Sequence, residues 1–330
     1  MFDVIAVGDT TQDIFMKMTD ASVQCDVDGH SCRLCFDYAE KIAVDEKTDI
    51  PCVGNAANNA IGVARLGLKA AIYTVVGDDT QGKLADAVFK ENKVDTQYVA
   101  IDTEHGTNLS VVINFKGERT IFVYHEPRTY KLPELSETKW IYLTSASGGG
   151  VQILHDQVFS YLKAHPDVSL AFNPGTYQIK LGFEALKPLL ERTALLFLNR
   201  EECMRILGVE TRDIPELMKG FHNLGVKWMV ITDGSSGSYM SDGSSIMFES
   251  IYAGPVIERT GAGDAYGSGF LSGLIHGVSA AEAMSWGNAN ATSVVGYVGA
   301  REGLLTREKI DTIITDNSSV IPVPYDSSRH

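Results

Sequence analysis

The sequence predicts an α/β protein, a doubly wound and mainly parallel sheet that carries a small second β-sheet. Three observations predict it. From Trp140 onward short apolar runs alternate with helical patterns, the rhythm of βαβ units that cover a parallel sheet on both faces. The chain opens on a compact apolar run, Phe2–Val7, which ends at Gly8-Asp9 as a buried first strand would. Between these regions lies a polar, irregular excursion from about Thr19 to Ile50, and later two β-patterned runs, Thr107–Phe115 and Arg119–Tyr124, around Lys116-Gly117-Glu118. Those runs are expected to pair with the excursion as a second sheet.

Taken in order, Phe2–Val7 is the first strand and Thr10–Asp13 a polar corner after it. Asn55–Leu66 is small and apolar with Gly67 as its stop, a helix signature. Ala70–Val76 reads as a strand and Gln81–Asn92 as a helix. The regular half supplies strands Trp140–Thr144, Ser169–Phe172, Ala194–Leu198 and Trp228–Thr232, with helices that include Val151–Ala164 and Ile214–Leu224. Ser238–Met240 and Ser245–Phe248 flank a polar turn and predict a hairpin at the sheet edge. Helices are expected over Asp264–His276, Ala280–Tyr297 and Arg307–Ile314, then a loose tail. All 330 residues fit one large α/β domain, with segments of the second sheet at about 14–52 and 107–125.

A hydrophobic content of 44% with 21% charged residues describes a globule able to bury a large core. The net charge of −14, without a Lys/Arg-rich run, weighs against nucleic-acid or anionic-membrane partners. No apolar run reaches spanning length, and the start carries no signal-like segment. Five cysteines do not form a secreted disulfide framework, so a cytoplasmic location is expected.

Chemistry concentrates in Glu258–Phe270. The apolar spacing of Phe270, Leu271, Leu274 and Ile275 sets a helix whose start carries Gly261-Ala262-Gly263, small residues with unpaired N–H groups. Such a terminus attracts anions. Asp264 follows at once, a carboxylate beside an anion site. One reading makes it a base that takes a proton from an attacking hydroxyl; the other makes it a first-turn Asp that favours the helix dipole. Ligands of open parallel sheets bind beyond the carboxyl ends of the strands, which raises the weight of Asp13, of Asn199 with Glu202, and of Thr232-Asp233-Gly234. A P-loop, a dinucleotide fingerprint after the first strand and a nucleophile elbow are all absent from the sequence.

Thr260–Tyr266, Thr-Gly-Ala-Gly-Asp-Ala-Tyr, resembles the signature of the ribokinase-like (PfkB-type) carbohydrate kinases. Three further stretches resemble that family in the same order: Val53-Gly54-Asn55-Ala56-Ala57-Asn58, Asn199-Arg200-Glu201-Glu202, and Thr232-Asp233-Gly234-Ser235-Ser236-Gly237. The resemblance implies that the second sheet, at about 14–52 and 107–125, is a small β-sheet lid over the substrate, and that the protein is an ATP-dependent kinase that phosphorylates a hydroxyl of a small sugar. A nucleoside kinase or a non-catalytic sugar-binding protein are the alternatives. It implies Asp264 as base, with Gly261, Ala262 and Gly263 as the anion hole. Asp13, Gly54, Asn55 and Asn58 would bind the acceptor. Asn199, Thr232, Gly234, Gly237 and Asn288 would bind the nucleotide, and Glu202 with Asn199 would hold Mg²⁺ through water. Neutral amides and a carboxylate suit the hydroxyls of a polyol or a ribose. For a nucleoside base, Phe36, Tyr38, Phe122 and Tyr124 of the lid are the candidate aromatic slot, while Arg128 is expected at the surface.

Two positions depart from the pattern. Val53 stands where the family has Gly, and Glu258 stands where members with a monovalent-cation site often have Asp, so K⁺ activation is left open. Cys25, His30, Cys32 and Cys35 do not follow a standard zinc spacing, and Zn²⁺ there is not favoured. An open lid edge would allow a homodimer.

Overall fold

The computed structural model describes residues 1–26, 32–116 and 118–326. β1 (Phe2–Val7) leads into β2 (Thr11–Lys17), a hairpin of β3 (Ser22–Cys25) and β4 (Cys32–Cys35), and β5 (Glu46–Val53). The chain then builds α1 (Asn55–Arg65), β6 (Ala70–Gly77), α2 (Thr80–Glu91) and β7 (Asp95–Asp102), followed by β8 (Asn108–Phe115) and β9 (Glu118–Tyr124). Next come β10 (Thr138–Leu143), α3 (Val151–Ala164), β11 (Ser169–Phe172), α4 (Thr176–Lys180), α5 (Phe183–Arg192) and β12 (Thr193–Asn199). After them stand α6 (Arg200–Leu207), α7 (Ile214–His222), β13 (Trp228–Thr232), β14 (Ser238–Ser241) and β15 (Ile246–Glu249). The last elements are α8 (Ala262–Ile275), α9 (Ala280–Val294), α10 (Arg307–Asp316) and β16 (Val323–Pro324).

The main sheet has the order β16-β15-β14-β13-β12-β11-β10-β1-β6-β7. From β13 to β7 neighbouring strands are parallel, and β14, β15 and β16 add an antiparallel edge. The winding direction reverses between β1 and β10, the switch point at which open sheets bind ligands. Strands such as β12 are buried along nearly their whole length, which explains why they read as continuous apolar runs rather than alternations. Residues of α3, α5, α6 and α7 form the core on one face, while α1, α2, α8 and α9 supply the other. A separate sheet, β5-β2-β8-β9, is the lid, with its own small core of Phe15, Ile50, Val53 and Val112. No helix among the described residues is long and apolar enough to cross a membrane.

Several elements differ from the sequence expectation. Thr10–Asp13 is not a corner: Thr11–Lys17 forms β2, the lid strand paired on both sides, so Asp13 belongs to the lid. β7 carries little strand signal in the sequence because it alternates poorly, and α5 carries Pro188 inside its helical pattern. α9 ends at Val294 rather than Tyr297. The tail is not wholly loose, since Val323 and Pro324 pair with β15 and the Tyr325 ring meets Tyr239 edge-on at 5.4 Å. Cys25 and Cys32 face each other across the β3–β4 hairpin and are disulfide-bonded. His30 of the cysteine cluster and Gly117 of the lid turn lie outside the described residues. Among the described residues no group of three or more His, Cys, Asp or Glu is arranged to hold a metal.

One core residue works against stability. His155 of α3 is 1% exposed, packs edge-on against Phe172, and finds no hydrogen-bond partner for either ring nitrogen. Burial pushes its pKa down to about 4, from an ordinary value near 6.5. The folded pKa lies below the unfolded one, so the unfolded chain binds the extra proton first and stability is lost as pH falls from about 6.5 towards about 4. His155→Leu is expected to stabilise by about 1–2 kcal/mol at pH 7, by removing unpaired buried polar atoms. The gain should widen by about 3 kcal/mol near pH 4. Urea denaturation of both proteins at pH 7 and pH 4.5 checks this; equal gains at the two values would contradict it.

Candidate active site

Five consecutive parallel strands deliver a polar residue to one edge of the sheet. Asp9 follows β1, Ser145 follows β10, Asn173 follows β11, Asn199 ends β12 and Thr232 ends β13; all five line one cavity of about 590 Å³. β2 brings Asp13 to the same space and α1 brings Gly54, Asn55 and Asn58. The start of α8 adds Gly261, Gly263 and Asp264. β9 roofs the cavity with alternate residues Arg119, Ile121 and Val123, as the two-residue period of a strand requires.

Asp264 is fixed by the packing of α1 on α8. A side chain at Gly62 of α1 would fall on Ser268 of α8, so the two backbones approach closely only because Gly62 has none. One turn before each of these contact residues, Asn58 Nδ2 donates to Asp264 Oδ2 at 2.8 Å. Burial pushes the Asp264 carboxyl up to about 6; the Asn58 hydrogen bond opposes that shift and the negative charge of Glu202 adds to it. Asp13 is likewise pushed up to about 6, chiefly by burial, against a hydrogen bond from Ser110 and with the charge of Glu258 assisting.

The α8 start is shaped by Gly261, in the left-handed region at φ 79°. Gly54 plays the same part for α1 at φ 101°, where a Cβ would stand 2.9 Å from the Asp9 carbonyl. Val53, where the resemblance expects Gly, turns into the lid core instead.

Asn199 and Glu202 cap α6 reciprocally. The Asn199 N–H donates to Glu202 Oε2 and the Glu202 N–H donates to Asn199 Oδ1, both at 2.8 Å. Burial shifts the Glu202 carboxyl upward. One carboxylate oxygen and a neutral amide oxygen with a spare lone pair remain, a donor set that fits Mg²⁺ retaining water and held mainly by phosphates. Thr232 reaches the cavity, but Gly234, Gly237, Asn288 and Ala262 are not among its lining residues. Asn288 is buried and ties down the stretch after β15, with its Nδ2 donating to the Ser250 carbonyl at 2.8 Å and its Oδ1 accepting from the Tyr252 N–H at 3.3 Å.

The structure corrects two expectations about the acceptor. None of Phe36, Tyr38, Phe122 and Tyr124 lines the cavity; Tyr38 is 98% exposed, and Phe122 and Tyr124 sit on the outer face of β9. Strand alternation points their neighbours Ile121 and Val123 inward instead. Arg128 is not at the surface. It is buried, pairs with Asp102 at 2.9 Å and also donates to the Gly106 carbonyl.

Sequence reasoning missed Asp9, Ser145 and Asn173, which the strand-end rule would have found had it been applied at every strand. Asp9 accepts from Tyr130 Oη at 2.6 Å and from the Ser147 hydroxyl, and burial raises its pKa. Arg119 was also missed. It reaches Glu258 Oε1 at 3.0 Å, so the carboxylate at issue for K⁺ is already compensated by an arginine.

Comparison with known proteins accords with this arrangement. Residues 52–307 match the pfkB family of carbohydrate kinases. The chain is 31% identical over 278 residues to an ATP-dependent 6-phosphofructokinase of Thermoanaerobacterium thermosaccharolyticum, covering 79% of this chain and 83% of that one. It is 28% identical over 268 residues to a nucleoside kinase of Methanocaldococcus jannaschii, covering 78% and 83%. A crystal structure of the Methanocaldococcus jannaschii nucleoside kinase, described as an archaeal member of the ribokinase family, superposes with a TM-score of 0.78 at 20% identity over 96% of this chain and 99% of that one. The fold is therefore ribokinase-like, and the chain belongs to the pfkB family of carbohydrate kinases, phosphotransferases that act on a hydroxyl acceptor.

Proposed function

We infer that the protein is an ATP-dependent kinase that phosphorylates a hydroxyl of a small sugar, with Asp264 as the base. The observation that carries this reading is the Asn58–Asp264 pair, a buried carboxylate tethered at 2.8 Å between the acceptor amides of α1 and the start of α8. The tether occupies Oδ2 and leaves Oδ1 to accept the proton of a bound hydroxyl. As that hydroxyl oxygen bonds to the γ-phosphorus, the bond from phosphorus to the β–γ bridging oxygen breaks, ADP leaves, and the proton passes to Asp264. The N–H groups of Gly261 and Gly263, which line the cavity, would meet the charge that gathers on the transferred oxygens, while the Ala262 N–H is directed to the Arg259 carbonyl at 3.4 Å. Glu202 and Asn199 would hold Mg²⁺ through water, and bound Mg²⁺ would offset charge on the phosphates.

A sugar is favoured over a nucleoside because hydrogen-bonding side chains gather on the acceptor side of the cavity. Asp13, Asn55, Asn58, Asn108 and Ser110 offer hydroxyl partners there, and Ile121 and Val123 above them offer no stacking face; the rings that line the cavity, Phe197 and the paired His125 and Tyr177, are the surfaces a nucleoside base would need. An ADP-release screen over pentoses, hexoses, their phosphates and nucleosides tests the reading. Turnover of a sugar supports it; turnover confined to nucleosides would replace the acceptor, and no turnover with any of them would overturn it.

The raised carboxyls set the pH response. Asp264 must be ionised to act, and at about 6 it is half protonated. We expect kcat/KM to be flat above pH 7 and to fall roughly tenfold per unit below about 6. An acid limb centred near pH 4 would contradict the role given to the buried carboxylate.

A further inference from the structure

β9 is an outer strand of the lid, exposed along its length, and its side chains bond to the body of the protein at one place among the described residues. That place is the Arg119–Glu258 ion pair. Arg119 Nη1 lies 3.0 Å from Glu258 Oε1, and the two side chains are 33% and 5% exposed. The same Oε1 accepts the Thr260 N–H at 2.8 Å and also the Thr260 hydroxyl. Thr260 immediately precedes Gly261, where the chain turns into α8.

One carboxylate oxygen thus gathers the guanidinium of the lid and both polar hydrogens of the residue that leads into the anion site. Glu258 Oε2 is buried without a hydrogen-bond partner, and among the described residues no second cation lies within ion-pair distance. Lifting β9 would leave a buried charge uncompensated. The charge of Glu258 is also felt at Asp13, on the lid strand β2, so this carboxylate stands between the acceptor side and the phosphoryl side of the cavity.

We propose that Arg119 is a positioning residue: through Glu258 it latches the lid strand over the cavity and sets the Thr260–Gly263 segment, so that the anion site is in place only when the lid is shut. For its catalytic consequence the proposal rests on the kinase reading above. It separates this pair from surface ion pairs, which contribute little, because one partner is buried and shared with the backbone of the site.

The test compares wild type with Arg119→Met, Glu258→Gln and the double variant, reading acceptor kcat/KM, Tm and amide hydrogen exchange. Arg119→Met bares the Glu258 carboxylate and should lower Tm, and adding Glu258→Gln removes that charge and should restore Tm. A latch predicts that kcat/KM stays about 10- to 100-fold low in all three variants, the double being no worse than the singles. It also predicts that exchange rises together in residues 118–124 and 258–263 of Arg119→Met. Recovery of wild-type kcat/KM along with Tm in the double variant would reduce the pair to a structural contact and overturn the proposal. So would unchanged exchange at 258–263 in Arg119→Met. Coupled exchange in a protein that phosphorylates nothing would support the latch while rejecting the kinase reading.

Discussion

Asp264→Asn is expected to lower kcat about 10³-fold while changing acceptor KM less than about threefold. The substitution keeps shape and an amide oxygen to accept from Asn58 Nδ2, so α1 and α8 remain joined. What it removes, on the proposed mechanism, is the group that takes the proton. Stability should move in the opposite direction. The folded pKa of about 6 lies above the unfolded value near 3.9, so the stabilising effect of Asp264 is fully present below pH 4 and lost as pH rises through 6. Above that the ionised, buried carboxylate costs about 2–3 kcal/mol, which Asn does not incur. An inactive variant that melts above wild type at pH 8 is the predicted pairing. Activity within threefold of wild type would remove Asp264 from the mechanism.

Gly261→Ala should damage both fold and rate. At φ 79° a residue with a Cβ is strained, and here the Cβ would also run into Ala300, which is buried. Left-handed backbone and overpacking each cost about 1–3 kcal/mol, and the pair should lower stability by about 2–4 kcal/mol. Relief by shifting the α8 start would misplace the N–H groups there, and losing one such donor costs about 10²–10³ in kcat. Gly263→Ala is the matched comparison. A Cβ at Gly263 meets nothing within 4 Å, yet the residue lines the cavity, so activity should fall with Tm unchanged. Thermal melts and kcat of the two variants check the contrast; equal Tm values would show that the Ala300 contact does not restrain Gly261.

How far the sequence could be read depended on whether the relevant information was local. β10 to β13 announce themselves because a strand covered on both faces must be apolar throughout, and α8 because a helix start needs a small residue where the chain turns. β7 and β2 were less legible. Their burial patterns are mixed, and what makes each a strand is a neighbour far away in sequence: β6 beside β7, β5 and β8 beside β2. Asp13 therefore moved from a corner to the lid. The same holds for the disulfide: Cys25 and Cys32 meet through hairpin register, which spacing alone does not specify.

By itself the sequence determined the α/β class, the parallel sheet and the four motif stretches of a pfkB kinase, since each is written in neighbouring residues. Tertiary structure alone decided which charges face one another. Arg128 proved to be a buried partner of Asp102, Arg119 the partner of Glu258, and Ile121 rather than Phe122 a part of the roof. The physical reason is that a charge in a low-dielectric interior takes its meaning from the group a few ångströms away, and that group is supplied by the fold, not by the adjacent residue.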